Sequence, residues 1–331
     1  MEADIIRHKP AKRLGGIFSR RVLLDICLIS AAIAFFFIFP NNLGFMTRVL
    51  VMIIMVLSLD LVLGYAGVAT LGHAALFGSG AYAAGIFAVY ISANPLLGLV
   101  VGALAGAIIA FVSGLILMRA TGLTLLMLSI AVAQVLFELV NSERDLTGGS
   151  DGLLGIDMDP VLGLYAFDFY GKTGYWYALA VLVVVFILLR VFVASPFGLV
   201  ARGIHASPER MRAIGTPVYW RLITIYTLAG GIAGIGGAVS AQVTELVSLE
   251  SLGFNLSAEA MIMLILGGIG RLYGAIFGTV IFMTVHHFAA SVDPFNWLFV
   301  IGILVLLVVY VVPEGVLGLP EKLRKHLGMA K

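Results

Sequence analysis

Long apolar runs, separated by short polar or glycine-rich breaks, follow one another along almost the whole chain. A hydrocarbon core about 30 Å thick takes a helix of roughly 20 apolar residues. Ten runs approach that length: Val22–Phe39, Leu43–Gly64, His73–Ile91, Leu96–Met118, Gly122–Val140, Gly174–Ala194, Leu222–Ala241, Ser257–Gly270, Tyr273–Ala290 and Asn296–Val312. They are too long and too continuously apolar to alternate like barrel strands. In lipid, each must therefore satisfy its backbone polar groups internally, as a helix. The pattern predicts an all-α, polytopic integral membrane protein with about ten transmembrane helices, some of them broken or re-entrant.

Composition agrees with that reading and closes off others. Of 331 residues, 61% are hydrophobic and 11% charged, too few charges to cover a soluble fold of this size. The same numbers exclude disorder. A net charge of +2 gives no electrostatic footprint for nucleic acid, and the single cysteine, Cys27, excludes a disulfide framework.

The basic residues set the orientation. With the N-terminus inside, only Arg48, Arg144 and Lys172 of the 20 Lys+Arg face outward, and the other 17 lie at cytoplasmic ends and loops. The outer loop 141–173 instead gathers Glu143, Asp145, Asp151, Asp157, Asp159 and Asp168. Ten crossings place both basic tails, 1–21 and 320–331, in the cytoplasm around a membrane domain of 22–319. The first run reads as a signal anchor, because Phe39-Pro40-Asn41-Asn42 follows it in place of a small-residue cleavage site.

Catalytic chemistry finds little to work with. Gly171-Lys172-Thr173 lacks the earlier glycine of a phosphate-binding loop, since Ala166 stands there. Gly78-x-Gly80-x-x-Ala83 matches the relaxed dinucleotide pattern but lies inside an apolar span with no strand before it. No cluster has metal-ligand spacing, and His286-His287 are adjacent and so diverge on a helix. No catalytic residue, metal or cofactor is expected. Asp25, Asp60, Glu138, Glu259 and His73 fall near span ends, where snorkelling to the interface accounts for them, and His286, deeper, suits packing or an interhelical hydrogen bond. A transporter with neither internal charge nor a nucleotide site must draw its work from another subunit.

Three segments carry specific signals. The cytoplasmic loop 195–221 contains Ser207-Pro208-Glu209, which suits a helix N-terminus, and Gly215, which suits its end. Ile204, Met211 and Ile214 give this loop an apolar side fit to dock in a partner's groove. Gly64, Gly67 and Gly72 interrupt the chain between two spans. Two readings are open there: backbone groups and the Thr70 hydroxyl exposed to a polar solute, or tight helix packing. Leu146-Thr147-Gly148-Gly149-Ser150-Asp151-Gly152 reads as an outer turn or as a solute-receiving mouth. Gly270-x-x-x-Gly274-x-x-x-Gly278 and Gly230-x-x-x-Gly234 suit packing seams. The short run Ser257–Gly270 ends in glycines, and its interruption corresponds to the break after Gly64 if the chain has two related halves.

Gly203-Ile204-His205 with Met211-Arg212-Ala213-Ile214-Gly215 resembles the coupling loop of ATP-binding-cassette permeases, specifically the LivM-type family of branched-chain amino acid transport systems. Gly64 to Tyr82, Thr147 to Gly152 and Leu266 to Gly274 are similar to further motifs of that family in the same order. The likeness runs from about Val22 to Leu319. Thr70 replaces the usual serine, and Arg212 stands where a glutamate is common, which reverses a charge at the expected ATPase contact.

The resemblance implies a bacterial inner-membrane permease subunit, itself without enzymatic activity. Its partners would be a second, LivH-type permease, two cytoplasmic ATPases and a periplasmic solute-binding protein, with lipid around it. It places ATPase coupling on Gly203, Ile204, His205, Glu209, Met211, Arg212, Ala213, Ile214 and Gly215. Gly64, Gly67, Thr70, Gly72, His73, Thr147, Gly148, Gly149, Ser150 and Asp151 are its candidates for the translocation path. Alternatives are a permease for urea, a sugar or a carboxylate, a stand-alone transporter or channel, and an intramembrane enzyme.

Overall fold

In the computed structural model the described residues are 14–161, 163–168, 171–292 and the single positions 299, 302, 303 and 306. Most of the tenth apolar run and both chain ends, as far as residue 13 and from 307, lie outside them. The chain forms two units, Met1–Leu43 and Gly44–Lys331. In the first, helix α1 (Leu14–Ile38) covers the first apolar run and begins before Val22; a short 3-10 turn, Pro40–Asn42, follows.

The second unit carries α2 (Leu43–Asp60), α3 (His73–Tyr90), α4 (Pro95–Leu117), α5 (Gly122–Ser142), the short α6 (Arg144–Thr147), α7 (Lys172–Ala194), α8 (Pro196–Ala206), α9 (Pro208–Ala213), α10 (Val218–Thr244), α11 (Phe254–Gly267) and α12 (Leu272–Val292). Each of the first nine apolar runs is thus a helix. Among the described residues there is no strand, only the isolated antiparallel bridges Leu153–Val247 and Val161–Tyr165. Among the described residues, six helical stretches are long and apolar enough to cross a membrane, from Pro40–Tyr65 to Leu272–Val292, and Cys27–Ile38 and Phe254–Gly267 are shorter apolar helices. The protein is a polytopic helical membrane protein.

Local signals fix the helix starts. Asn94 caps α4 by accepting from the Leu96 and Leu97 N–H groups at 3.0 and 3.4 Å, with Pro95 at the first position. Ser195-Pro196 opens α8 and Ser207-Pro208 opens α9 in the same way, each serine accepting a backbone N–H at 3.4 Å.

Helices α3, α4 and α10 form the core, packing on one another more extensively than any other pair of elements. Glycines make this possible. A Cβ on Gly80 would strike the backbone of Gly234, one on Gly106 the Gly230 carbonyl, and one on Gly237 the Phe77 carbonyl. Gly80, in the dinucleotide-like pattern, is therefore a packing residue. Gly230 and Gly234 form a seam as expected, and Gly274 and Gly278 do so against Gly267 in the α11–α12 hairpin.

Segments expected on one side of the membrane touch each other. Among those expected outside, Leu153 pairs with Val247, the Asp159 N–H donates to the Ala93 carbonyl at 3.0 Å, and the Tyr90 hydroxyl donates to the Asp145 carbonyl at 3.3 Å. On the other side the Tyr219 hydroxyl, at the start of α10, donates to the Leu115 carbonyl near the end of α4 at 2.8 Å.

Candidate functional site

The break between α2 and α3 is built without waste. After Asp60 the helix widens into one π turn, Leu61–Tyr65, and the chain then runs irregularly to His73. Five of its backbone donors find partners within the protein. Gly67 N–H reaches the Leu63 carbonyl at 3.2 Å and Val68 N–H the Val62 carbonyl at 3.0 Å. Leu71 N–H donates to the Ser129 hydroxyl at 3.1 Å, Gly72 N–H to the Thr70 hydroxyl at 3.2 Å, and Ala74 N–H to the Ser257 hydroxyl at 2.9 Å. Such accounting is what a non-helical stretch within a membrane protein requires. Thr70 is buried, and a Cβ on Gly72 would strike the Ser129 carbonyl, so in this conformation both are packed.

The second interruption, at the α11–α12 turn, sits directly on the first. The Asp60 carboxylate Oδ1 accepts the Gly270 N–H at 2.7 Å. Gly270 takes φ +77°, which a glycine adopts readily, and it lies so close to Gly64 that no side chain fits between them. The two interruptions singled out in the sequence are thus in physical contact.

Asp60 and His73 do not snorkel. Both side chains are fully enclosed, because the break folds the ends of α2 and α3 into the protein instead of leaving them at an interface. Oδ2 of Asp60 has no hydrogen-bond partner. His73 Nε2 lies 2.7 Å from the Ser58 hydroxyl, which itself donates to the Met55 carbonyl at 2.6 Å. With its one proton so used, Ser58 accepts from Nε2–H, and His73 Nδ1 is left as a buried acceptor without a partner.

Helix α8, in the segment expected in the cytoplasm, grips the break. His205 Nδ1–H donates to the Gly64 carbonyl at 3.0 Å; a carbonyl can only accept, so Nδ1 carries the proton. Its ring covers Gly67, which has φ +72° and no space for a Cβ. The Arg202 guanidinium lies 5.2 Å from the centre of the buried Tyr65 ring, a cation–π contact. Arg221, early in α10, caps the Phe197 ring at 5.0 Å and ties down the start of α8.

The expected apolar docking side of this loop is divided. Ile204 is buried within the chain and does not join it, because α8 turns that residue inward beside the break. Met211 packs across Gly203. Helix α9 contributes no buried residue: Glu209, Arg212, Ala213 and Gly215 are exposed, and Ile214 is 74% exposed. Gly215, at φ +86°, ends this helix as its composition foretold.

The segment Thr147–Gly152 folds as a turn. The Thr147 hydroxyl lies 2.6 Å from the Val140 carbonyl and 2.8 Å from the Glu143 carbonyl, and it accepts the Gly149 N–H at 3.2 Å. Gly148, Gly149 and Gly152 all have positive φ. Gly152 abuts the Val247 carbonyl beside the Leu153–Val247 bridge. Ser150 and Asp151 are exposed, far along the chain from the break, and form no shared site with Thr70 or His73 in the contacts seen. No group of three His, Cys, Asp or Glu residues is placed to hold a metal among the described residues.

A family model described as "Branched-chain amino acid transport system / permease component" matches residues 41–309. The chain belongs to that family. The permease is also 23% identical to the high-affinity branched-chain amino acid transport system permease protein LivM of Salmonella typhimurium, over 96% of this chain and 80% of that protein. It is equally similar, at 23% and the same coverage, to the protein of that name from Escherichia coli. No solved structure matches the permease. Asp60, Ser58, Arg202, Ser129 and Ser257 complete the break in this permease although no sequence motif singled them out. The one available signal was Asp60 itself, an acid four positions before the first glycine.

Proposed function

We propose that this permease is one subunit of an ATP-binding-cassette importer for branched-chain or related amino acids in a bacterial inner membrane. In this reading it forms half of the path with a second, LivH-type permease, receives solute from a periplasmic binding protein and is driven by two cytoplasmic ATPases. Family membership supports the cargo class. The observation that carries the coupling is the seat of α8 on the helix break. His205 and Arg202 hold Gly64 and Tyr65, and Gly64 rests on Gly270. A push on the uncovered α9 would then reach both interrupted helices through contacts of a few ångströms, the kind of two-state packing that converts a local event into rearrangement. Stacked side chains and backbone, unlike a flexible linker, transmit displacement.

The test is reconstitution in proteoliposomes. Leucine uptake should require the ATPases, the second permease and ATP together, and bulky replacements such as Gly203→Phe or Ala213→Trp should abolish it while the protein still inserts. Uphill uptake by this chain alone, driven by an ion gradient, would overturn the reading.

A further inference from the structure

Helix α5 shows the membrane a face unlike those of its neighbours. Gly122–Ser142 is the least enclosed of the six long apolar spans. On α4 the exposed positions Leu97, Val100, Leu104, Ile108, Val112 and Ile116 are all apolar, as a lipid-facing surface requires, and α7 exposes Val184, Ile187, Leu188 and Val191 in the same manner. On α5 one exposed stripe reads Thr124, Met127, Ala131, Gln134 and Glu138, at the three- and four-residue spacing that stacks side chains on one side of a helix. Its opposite side, Leu125, Ser129 and Ala133, is buried in the protein.

Depth makes the stripe informative. At 1.5 Å per residue, Gln134 stands about 18 Å from Gly122 and about 12 Å from Ser142, near the middle of the span. Its carboxamide is too short to reach an interface from there, and among the described residues no hydrogen bond satisfies it. Hydrocarbon does not tolerate an unpaired amide at that depth, so polar groups exposed inside a membrane face water or a polar partner. Glu138 lies one turn closer to the outer end on the same side. Read alone, its position at a span end suited snorkelling; its place on the Gln134 stripe gives it a different surrounding.

We infer that this stripe is a wall of the aqueous solute path, with Gln134 and Glu138 in contact with the passing solute. The chemistry suits a small zwitterion: the Glu138 carboxylate meets an ammonium group, the Gln134 carboxamide supplies both a donor and an acceptor, and Met127 and Ala131 offer apolar surface to an aliphatic side chain. The inference rests on the transport function proposed above for its solute, but the surroundings of α5 are testable without it.

Cysteine labelling decides the matter. In the full-length Cys27→Ser protein, in membranes of its own cells with its partners present, single cysteines at Met127, Ala131 and Gln134 are exposed to a charged, membrane-impermeant methanethiosulfonate. Ser150→Cys serves as the exposed control that reports insertion, and Leu104→Cys and Ile108→Cys as lipid-facing ones. The stripe should label at least about tenfold faster than the α4 positions, since thiolates form only where water reaches, and excess leucine should slow labelling at Gln134→Cys. Labelling of Ser150→Cys with none at the three stripe positions would overturn the inference and indicate a dry contact with another helix or with lipid. Water-accessible labelling that leucine does not affect would keep the aqueous wall, remove solute contact and point to failure of the assigned cargo. A second readout is Gln134→Leu: a lipid-facing position gains by this change, whereas a path-lining one loses leucine uptake with unchanged protein level in the membrane.

Discussion

Gly64 and Gly270 meet backbone to backbone: a Cβ on Gly64 would stand 2.5 Å from the Gly270 nitrogen and 2.7 Å from its Cα. Two helix interruptions separated by some two hundred residues of chain are thereby one joint. The Asp60 carboxylate fastens it by accepting the Gly270 N–H.

Gly64→Ala should force that joint apart. Insertion of a methyl into a packed interface costs about 1–3 kcal/mol. A lower unfolding midpoint, followed by tryptophan fluorescence in detergent, is the expected outcome, together with reduced uptake.

Asp60→Asn and Asp60→Ala should separate hydrogen bonding from charge. The asparagine oxygen still accepts from Gly270 and its amide fills the place of the unpartnered Oδ2, so stability is held or raised. The alanine leaves a buried N–H unsatisfied, at about 1–3 kcal/mol. The comparison is read from the two unfolding midpoints against wild type.

His205→Ala should uncouple more than it destabilises. The ring makes one hydrogen bond to Gly64 from an otherwise open position. We expect uptake to fall by about 5- to 150-fold, the scale of a coupling free energy of 1–3 kcal/mol, with ATP hydrolysis by the assembled complex largely retained. Parallel loss of both activities would show a folding defect in place of a broken linkage.

The positions of the helices were legible because nine apolar runs were long enough to need no tertiary help. Helix α9 was equally legible, since Ser207, Pro208 and Gly215 act through their immediate neighbours. What escaped was long-range pairing. Ile204 looked like part of an apolar docking side, but its direction depends on how α8 meets the break. Asp60 and His73 looked like interface residues because span ends in a sequence coincide with interfaces only when the chain leaves the protein there. Here it folds back inside. Gln134 is inconspicuous in the sequence for the opposite reason, as nothing in the apolar pattern says which side of α5 the protein covers.

The Ser58–His73 pair is the next test. Ser58→Ala should leave the His73 Nε2–H unsatisfied and cost about 1–3 kcal/mol, while Ser58→Ala with His73→Leu should recover much of that loss because neither polar partner remains. A double-mutant cycle on unfolding midpoints measures the coupling; simple additivity would show that the hydrogen bond contributes nothing.

Gly80→Val should be more severe than any of these changes. The collision is with the Gly234 backbone, which has no rotamer into which to retreat. Loss of folded protein from the membrane fraction is expected.

That seam also says where a transport stroke cannot occur. Where main chain abuts main chain among α3, α4 and α10 there is no lubricating layer of side chains, so these three helices translate and tilt as a single strut. Motion would be taken up at its borders, and among the described residues the bent, glycine-lined joint formed by the elbow at the foot of α2 and the α11–α12 turn is such a place.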